Sequence, residues 1–455
     1  MMHGTSRRAA TGLLACMLLV AVLASAPAVA AARPGAKPVT GQTVRNVILL
    51  IGDGMGPEHT ELGRLVYGPL AIEGLPWQAV GWTDTTSLSG VTWSCAAATA
   101  LATGYETYNG WVGMSPAADG TPVARTNALE AAEARGKATG LVTDVYVQDA
   151  TPAGFSAHVP DRYMTDEIVA QQLTQGIEVL FGAAAGRDAA YQGVPGVTYS
   201  TTLEDLQPYL EGKKPWPARL WGFYGYYSTV YDIDREEDEV VGREPTLAEM
   251  TTAALGVLQK DRDGFFLMVE GGAIDWVSHY RDAAATALEV REFNEALEVA
   301  YAWATTHPGT LLVVTSDHEC GGLQVDDALN VAALAAQSAS TEWMWGLIKA
   351  DRSDERLIRA TLAAYGGVPE SGTGALTDHE IAHITACGEM GISDVLAARA
   401  CVTWGWSGTD EGDHTDTLIP VFAWGPRAEI FGSGTEAAPV PNETVGRALL
   451  RVLAR

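Results

Sequence analysis

Short apolar runs that end in polar or glycine-rich turns recur along the chain and alternate with helix patterns. The runs cover residues 47–51, 265–269, 311–315 and 418–424. Helix patterns lie between them, for example over residues 127–134, 247–259 and 283–304. Runs that are apolar on both faces and separated by helices predict an α/β fold, with a large, mostly parallel sheet covered by helices on both faces.

Residues 331–400 break this alternation. Ser340, Ser353 and Thr377 each begin a segment with the polar start of a helix, and no strand pattern lies between them. We therefore expect a helical insertion before the last strand and packed near it. The length alone would allow two or three domains, but large α/β proteins often keep one sheet, so residues 31–455 are predicted to form a single domain.

The first thirty residues have a pattern of their own. Arg7 and Arg8 precede an apolar run over residues 13–24, and residues 28–30 (Ala-Val-Ala) resemble a cleavage site. This order predicts a secretory signal peptide over residues 1–30, and therefore export to the periplasm or the exterior. A general secretory signal and a twin-arginine signal both fit. No later run reaches the roughly 20 apolar residues of a membrane span, so we expect none in the mature chain.

The charge of the chain narrows the classes of partner. There are 56 acidic residues against 29 basic ones, which gives a net charge of −27. Such a field disfavours nucleic-acid binding, which depends on basic patches. It would also repel an anionic substrate, so any phosphate site in this chain needs local positive charge such as metal ions.

Four cysteines follow the predicted signal peptide, namely Cys95, Cys320, Cys387 and Cys401. None of them forms a Cys-x-x-Cys pair, so a structural zinc site is not indicated. Because export permits disulfides, we expect a bond between Cys387 and Cys401, which are close in sequence and distant from the polar motifs.

Acidic residues or histidine follow four of the apolar runs: Asp53, Asp149, Glu270 and the pair Asp317-His318. Ligands of open α/β sheets bind beyond the carboxyl ends of the strands. A single Asp after a strand is usually a turn residue or a helix cap. Four such positions in one chain instead predict a polar site at one edge of the sheet.

Further candidate ligands lie nearby in sequence or in glycine-rich turns. Asp275 and His279 are four residues apart, so on a helix they face the same way and can hold one metal ion. His414 lies in a turn that begins with Gly412. Histidine with carboxylate ligands suits zinc, whereas a set of oxygen ligands suits magnesium.

Ser94 and Arg162 are the candidates for phosphate chemistry. Ser94 begins an alanine-rich helix pattern, where a serine is usually a helix cap. The same position places its hydroxyl at a helix N-terminus, which favours phosphate groups. Arg162 carries the guanidinium that pairs best with phosphate oxygens, although an Arg beside an Asp is often a surface pair.

Six segments together resemble the successive sequence blocks of the alkaline phosphatase family. They are residues 46–56 (NVILLIGDGMG), 91–110 (VTWSCAAATALATGYETYNG), 149–162 (DATPAGFSAHVPDR), 269–279 (VEGGAIDWVSH), 315–322 (TSDHECGG) and 413–426. They occur in the family's order and span nearly all of the chain after the signal peptide, apart from the insertion.

The resemblance implies an enzyme that hydrolyses phosphate monoesters through a phosphoserine, with two Zn²⁺ ions and one Mg²⁺ ion. It assigns the first zinc to Asp275, His279 and His414, and the second to Asp53, Asp317 and His318. It assigns the magnesium to Asp53, Thr151 and Glu270, with Asp149 beside it. Ser94 is then the nucleophile and Arg162 binds phosphate. Many relatives are dimers, so a homodimer is compatible with the resemblance.

The chain departs from the family pattern at two tryptophans. Trp93 replaces the Asp that usually precedes the nucleophile and positions the arginine, so we expect a freer Arg162. We also expect Trp93 and Trp276 to line the rim and to favour aromatic or apolar leaving groups. Two other functions remain open, a phosphodiesterase of the same superfamily and an exported, non-catalytic protein that binds phosphate or metal.

Overall fold

The computed structural model describes residues 43–235, 243–405 and 414–454, which belong to one compact unit. The predicted signal peptide lies outside the described residues. The strands, in chain order, are β1 (Asn46–Gly52), β2 (Ala79–Thr83), β3 (Thr86–Ser87), β4 (Gly90–Val91), β5 (Met114–Pro116), β6 (Pro122–Ala124), β7 (Ala138–Tyr146), β8 (Val179–Ala183), β9 (Thr198–Ser200), β10 (Leu220–Phe223), β11 (Phe265–Gly271), β12 (Thr310–Ser316), β13 (Glu319–Cys320), β14 (Leu323–Gln324), β15 (Thr403–Trp404), β16 (His414–Thr415) and β17 (Ile419–Trp424).

Within the described ranges, no helix combines the length and the apolar character needed to cross a bilayer.

The α-helices are α1 (Pro57–Tyr67), α2 (Ala71–Gly74), α3 (Ser94–Thr103), α4 (Ala128–Glu133), α5 (Ala150–Gly154), α6 (Thr165–Thr174), α7 (Asp188–Tyr191), α8 (Leu203–Leu210), α9 (Leu247–Leu258), α10 (Ala273–His279), α11 (Ala283–Thr306), α12 (Val331–Ala335), α13 (Thr341–Ile348), α14 (Glu355–Tyr365), α15 (Asp378–Cys387), α16 (Glu389–Ala400) and α17 (Glu443–Leu453). Short 3-10 helices cover Asp232–Asp234, Lys349–Asp351 and Ala428–Phe431.

Nine strands form the central sheet, in the order β2-β17-β12-β1-β11-β7-β8-β10-β9. All neighbours from β12 to β9 are parallel, whereas β17 runs antiparallel to both β12 and β2. The four apolar runs of the sequence analysis are β1, β11, β12 and β17. The predicted mostly parallel α/β sheet is confirmed.

Side chains of the central strand β1 alternate between two apolar cores. Val47, Leu49 and Ile51 pack on one face, together with residues of α3, α4 and α17. Ile48 and Leu50 pack on the other face, together with residues of α9 and α11. Because neighbouring residues of a strand point to opposite faces, a strand that is covered on both sides reads as a continuous apolar run.

Residues 331–400 contain helices α12 to α16 and no strand. The side chains of Ser340, Asp354 and Thr377 cap α13, α14 and α15, as the polar starts in the sequence predict. The segment has an apolar cluster of its own, and α12 and α16 also share a cluster with α10 and α11. The segment therefore packs mainly against helices α10 and α11, whereas the sequence pattern suggested a position near the last strand.

The predicted disulfide between Cys387 and Cys401 is wrong. Cys387 is the last residue of α15 and Cys401 follows α16, and both are free thiols. A helix of 12 residues separates them, and a helix of that length spans about 18 Å. The Cα atoms of a disulfide lie within about 7 Å of each other, so this helix holds the two cysteines too far apart.

Candidate active site

Four adjacent parallel strands, β12, β1, β11 and β7, bring their carboxyl ends to one edge of the sheet. Glu270 lies in β11 opposite Ile51 of β1, and Asp53 follows β1 directly. Asp317 follows β12, whose last residue lies opposite Gly52. Asp149 lies shortly after β7 and caps α5. The residues that the strand ends predicted therefore lie together at this edge.

A first group consists of Asp275, His279 and His414. The Nε2 atom of His279 lies 3.2 Å from Asp275 Oδ2, one helical turn back on α10. The Nε2 atom of His414 lies 3.4 Å from Asp275 Oδ1 and 3.3 Å from His279 Nε2. The Nδ1 atom of His414 lies 3.0 Å from the carbonyl oxygen of Thr92. Because a carbonyl only accepts, Nδ1 donates its proton to it, and this hydrogen bond directs Nε2 at the group.

A second group consists of Asp53, Asp317 and His318, with Ser94 beside it. The Ser94 hydroxyl lies 3.1 Å from His318 Nε2 and 3.5 Å from Asp53 Oδ1. His318 Nε2 also lies 3.1 Å from Asp317 Oδ2 and 3.6 Å from Asp53 Oδ1. The backbone N–H of Gly54 donates to Asp317 Oδ1 over 3.0 Å, which fixes that carboxylate. Ser94 thus contacts the candidate ligands instead of capping its helix.

Thr151 and Glu270 extend the site on the other side of Asp53. The Thr151 hydroxyl lies 3.5 Å from Asp53 Oδ2. Glu270 is buried, and its Oε2 atom has no hydrogen-bond partner among the described residues. A buried carboxylate oxygen without a donor is costly unless a cation neutralises it. The ten residues predicted as metal ligands, nucleophile or phosphate-binding arginine all lie at this edge, together with Asp149.

The electrostatics of the site call for cations. Burial, together with the neighbouring Asp317 and Asp275 carboxylates, raises the pKa of Asp53 well above its usual value. Burial also acts on Asp275, but the adjacent His279 and His414 imidazoles outweigh it and bring its pKa well below the usual value. The first two groups combine imidazole with carboxylate, which suits zinc. The third group offers oxygens alone, which suits magnesium.

The helix that begins at Ser94 is held tightly in place. Every residue of α3 is buried, and most of them are alanine or another small residue. A Cβ atom added at Gly446 of α17 would lie 2.2 Å from the Ala100 carbonyl oxygen, and one added at Gly154 of α5 would lie 2.9 Å from Ala98 Cβ. Two helices therefore pack directly onto α3, and they fix the position of the Ser94 hydroxyl.

Arg162 is paired with Asp149, so the expectation that Trp93 leaves it freer is wrong. The Arg162 guanidinium donates to Asp149 Oδ1 over 2.6 Å. The Tyr146 hydroxyl lies beside both groups. Such charge-assisted hydrogen bonds are short and orient the guanidinium plane. Asp149 therefore provides the carboxylate that the residue before Ser94 does not.

A pocket of about 370 Å³ opens onto these groups. Besides the candidate ligands, its lining includes four aromatic residues: Tyr146, Tyr163, Trp276 and Tyr280. Trp276 also packs on Tyr146, with ring centroids 6.0 Å apart. Trp93 packs against a buried cluster that contains Cys95. The sequence pattern did not indicate the three tyrosines, although each lies within three positions of a site residue.

A second set of buried carboxylates lies apart from this pocket, and we call Asp144, Glu289 and Glu292 the inner acidic cluster. Their carboxylate oxygens lie within 4.8 Å of one another. Asp144 Oδ1 accepts the backbone N–H groups that begin α10, over 2.7 and 3.0 Å. Glu292 Oε1 accepts from the Arg235 guanidinium over 3.0 Å. Burial, followed by the nearby Glu292 carboxylate, raises the pKa of Asp144 to about 7.

Comparison with known proteins agrees with this geometry. The family model for alkaline phosphatase matches residues 44–184 and 194–447. The chain belongs to the alkaline phosphatase family. It is 31% identical to alkaline phosphatase 3 of Bacillus subtilis (strain 168), over 90% of this chain and 89% of the relative. It is also 33% identical to the streptomycin-6-phosphate phosphatase of Streptomyces griseus, over 66% of this chain and 78% of that protein.

Solved alkaline phosphatases share the fold. The cold-active alkaline phosphatase of Shewanella sp. superposes with a TM-score of 0.75 at 27% identity, over 90% of this chain and 100% of that chain. The Thermus thermophilus alkaline phosphatase superposes with a TM-score of 0.75 at 28% identity, over 92% of this chain and 93% of that chain. The protein is thus an enzyme of the alkaline phosphatase family, as the six sequence blocks predicted.

Proposed function

We propose that this alkaline phosphatase hydrolyses phosphate monoesters through a phosphoserine at Ser94, with two zinc ions and one magnesium ion at the sheet edge. Asp275, His279 and His414 hold the first zinc, and Asp53, Asp317 and His318 hold the second. Asp53, Thr151 and Glu270 hold the magnesium. The observation that carries the proposal is the Ser94 hydroxyl, which lies 3.1 Å from His318 Nε2 at the end of a fixed helix.

The metal ions, when bound, lower the pKa of the serine hydroxyl and neutralise the oxygen of the leaving group. Ser94 Oγ attacks phosphorus, the bond to the leaving oxygen breaks, and a phosphoserine forms. Water then hydrolyses this ester and releases inorganic phosphate. Arg162 binds the non-bridging oxygens, where the transition state spreads its charge. Asp149 holds the guanidinium in the orientation needed for this contact.

We further propose that the enzyme prefers aromatic or apolar leaving groups. Trp276, Tyr146, Tyr163 and Tyr280 line the pocket beyond the phosphate site. Aromatic walls of this kind favour planar, apolar groups over strongly hydrated ones. Trp93 packs against the buried cluster that contains Cys95 and is not among the described residues that line this pocket, so the preference is assigned to Trp276 and the tyrosines. We also propose that residues 1–30 direct export and that the enzyme acts outside the cytoplasm, which N-terminal sequencing of the mature protein tests.

The deciding experiment compares hydrolysis of p-nitrophenyl phosphate and bis-p-nitrophenyl phosphate, with zinc and magnesium present. Wild-type enzyme should prefer the monoester and should lose activity on chelation. Ser94→Ala should abolish turnover and prevent trapping of radioactive phosphate on the protein, whereas Ser393→Ala, at a buried serine of the insertion, should not. Preference for the diester would indicate the phosphodiesterase alternative. Metal binding without turnover of either ester would indicate a binding protein.

A further inference from the structure

Strand β10 and the loop that follows it present two exposed tyrosines outside the pocket described above. Residues 220–231 contain six aromatic residues and no charged one. Four of the six are buried, whereas Tyr226 and Tyr227 are 59% and 56% exposed. We call Tyr226 and Tyr227 the outer tyrosine pair. Packing of the apolar core therefore explains the four buried rings but does not explain this pair.

The outer tyrosine pair continues a row of aromatic rings that begins inside the pocket. The Tyr146 hydroxyl lies beside Arg162, at the phosphate end of the site. The Tyr146 ring packs on Trp276, which also lines the pocket, with ring centroids 6.0 Å apart. Tyr146 also packs on Tyr227 with centroids 6.1 Å apart, and the Tyr227 and Tyr226 centroids lie 4.6 Å apart. The four rings thus form a continuous aromatic surface that leads from the pocket to solvent.

Backbone contacts fix the outer tyrosine pair in this position. Gly225 has a φ of +65°, and a Cβ atom at this residue would collide with the Ser228 carbonyl oxygen, so the chain turns tightly around the pair. Ser228 forms an antiparallel β-bridge with Val145 of β7. The Ala185 N–H donates to the Tyr226 carbonyl oxygen over 2.8 Å. The pair is therefore attached to the sheet edge, and a ring that binds to it orders little additional chain.

We propose that the outer tyrosine pair is a second binding subsite for the leaving group. The inference rests on the proposed function and deepens it, because it names monoesters of phenols with two or more linked rings as the preferred substrate class. The ring that carries the phosphate lies against Tyr146 and Trp276, and the next ring lies against Tyr227. Contacts between aromatic rings contribute free energy beyond the burial of apolar area, and the loop has no charged side chain that would lose its hydration there.

The experiment compares two monoesters that differ by one ring, phenyl phosphate and 4-phenylphenyl phosphate, with zinc and magnesium present. The leaving group departs when the phosphoserine forms, so kcat/KM, which covers the steps up to that point, reports its binding. Wild type should prefer the longer ester, and Tyr227→Ala should lower the ratio of the two kcat/KM values by about tenfold. Because the ratio is used, a change at the metal ions or at Ser94 that affects both esters equally cancels.

Two further variants separate ring contact from other roles of Tyr227. Tyr227→Phe keeps the ring and should keep the wild-type ratio. Tyr105→Ala removes another exposed tyrosine, which follows the end of α3 opposite to Ser94, and should also keep the ratio. The inhibition constant for phosphate should be the same in all three variants, because none of them changes Arg162 or Tyr146.

Three results would overturn the proposal. In the first, wild type hydrolyses phenyl phosphate but gains nothing from the second ring, so the proposed function stands and the outer tyrosine pair is not a subsite. In the second, the ratio is unchanged in Tyr227→Ala, whether both kcat/KM values fall together or neither changes, so Tyr227 at most supports Tyr146. In the third, Tyr227→Phe loses the preference as well, so the hydroxyl and not the ring is recognised. Absence of turnover with either ester in wild type would overturn the proposed function, and this inference with it.

Discussion

The active-site edge and the inner acidic cluster both bury several carboxylates, but they are neutralised by different partners. At the edge, Asp53 lies beside other acids and His318 and lines an open pocket, and Glu270 is buried beside Asp149. In the inner cluster, backbone N–H groups and the Arg235 guanidinium supply the positive charge. Crowded acids alone therefore do not define a metal site. The imidazoles and the access to solvent distinguish the edge.

The largest expected difference concerns metal binding. Asp317→Asn removes a candidate ligand at the edge and should lower kcat/KM for p-nitrophenyl phosphate by roughly a thousandfold, or about 4 kcal/mol. Glu289→Gln, in the inner cluster, should leave activity and metal content close to wild type. Elemental analysis of both variants, beside the rate assay, checks this. Equal loss of metal from both variants would contradict the distinction between the two regions.

The next effect concerns stability. Arg235→Met leaves the buried Glu292 carboxylate without its guanidinium, which should lower the free energy of unfolding by about 3 kcal/mol. Urea denaturation measures this change. Adding Glu292→Gln should recover part of the loss, and Arg64→Met, at a surface pair, should change the denaturation midpoint far less than Arg235→Met. An unchanged denaturation midpoint for Arg235→Met would mean that the guanidinium does not neutralise the cluster.

A smaller effect distinguishes two candidate roles of Asp149, namely orienting Arg162 and supporting the third metal site. Asp149→Asn weakens a charge-assisted hydrogen bond to Arg162, so KM and the inhibition constant for phosphate should rise about tenfold. The value of kcat should change less, and magnesium content should stay the same. Loss of magnesium with an unchanged inhibition constant for phosphate would instead mean that Asp149 supports the third metal site.

The smallest expected effect is on the pH dependence of stability. The folded state raises the pKa of Asp144 from 3.8 to about 7, so its protonated form stabilises the fold at low pH. That stabilisation is lost as the pH rises through about 7. Asp144→Asn cannot titrate and still accepts the two N–H groups of α10, so its Tm should vary less between about pH 4 and pH 7, by a few degrees. Asp378→Asn, at an exposed position, should keep the wild-type profile, and an unchanged slope in Asp144→Asn would refute the assignment.

The local sequence pattern was sufficient to predict the sheet and most residues of the active-site edge. Asp53, Glu270 and Asp317 could be placed because each follows or ends an apolar run, and parallel strands end at a common edge. Asp275 and His279 could be paired because helical spacing is regular. His414 is different, since its position depends on the pairing of β16 with β13, which are far apart in the sequence. Only the family resemblance brought it to the first group.

The wrong predictions concern residues whose positions depend on tertiary contacts. Closeness in sequence suggested the Cys387–Cys401 bond, but the helix α16 between the two residues keeps them apart. The missing acid before Ser94 suggested a freer Arg162, but folding brings the Asp149 carboxylate to it. Tyr163 and Tyr280 line one pocket although they are far apart in the sequence, and no periodicity in the sequence shows this.

The contact of Gly446 with α3 determines when this helix becomes fully packed during synthesis of the chain. Ser94 is synthesised early, whereas α17, which packs on its helix, is synthesised hundreds of residues later. An alanine-rich helix of ten residues is marginal in water by itself. A growing chain therefore carries Ser94, the proposed nucleophile, on a helix that lacks part of its support until α17 has been synthesised.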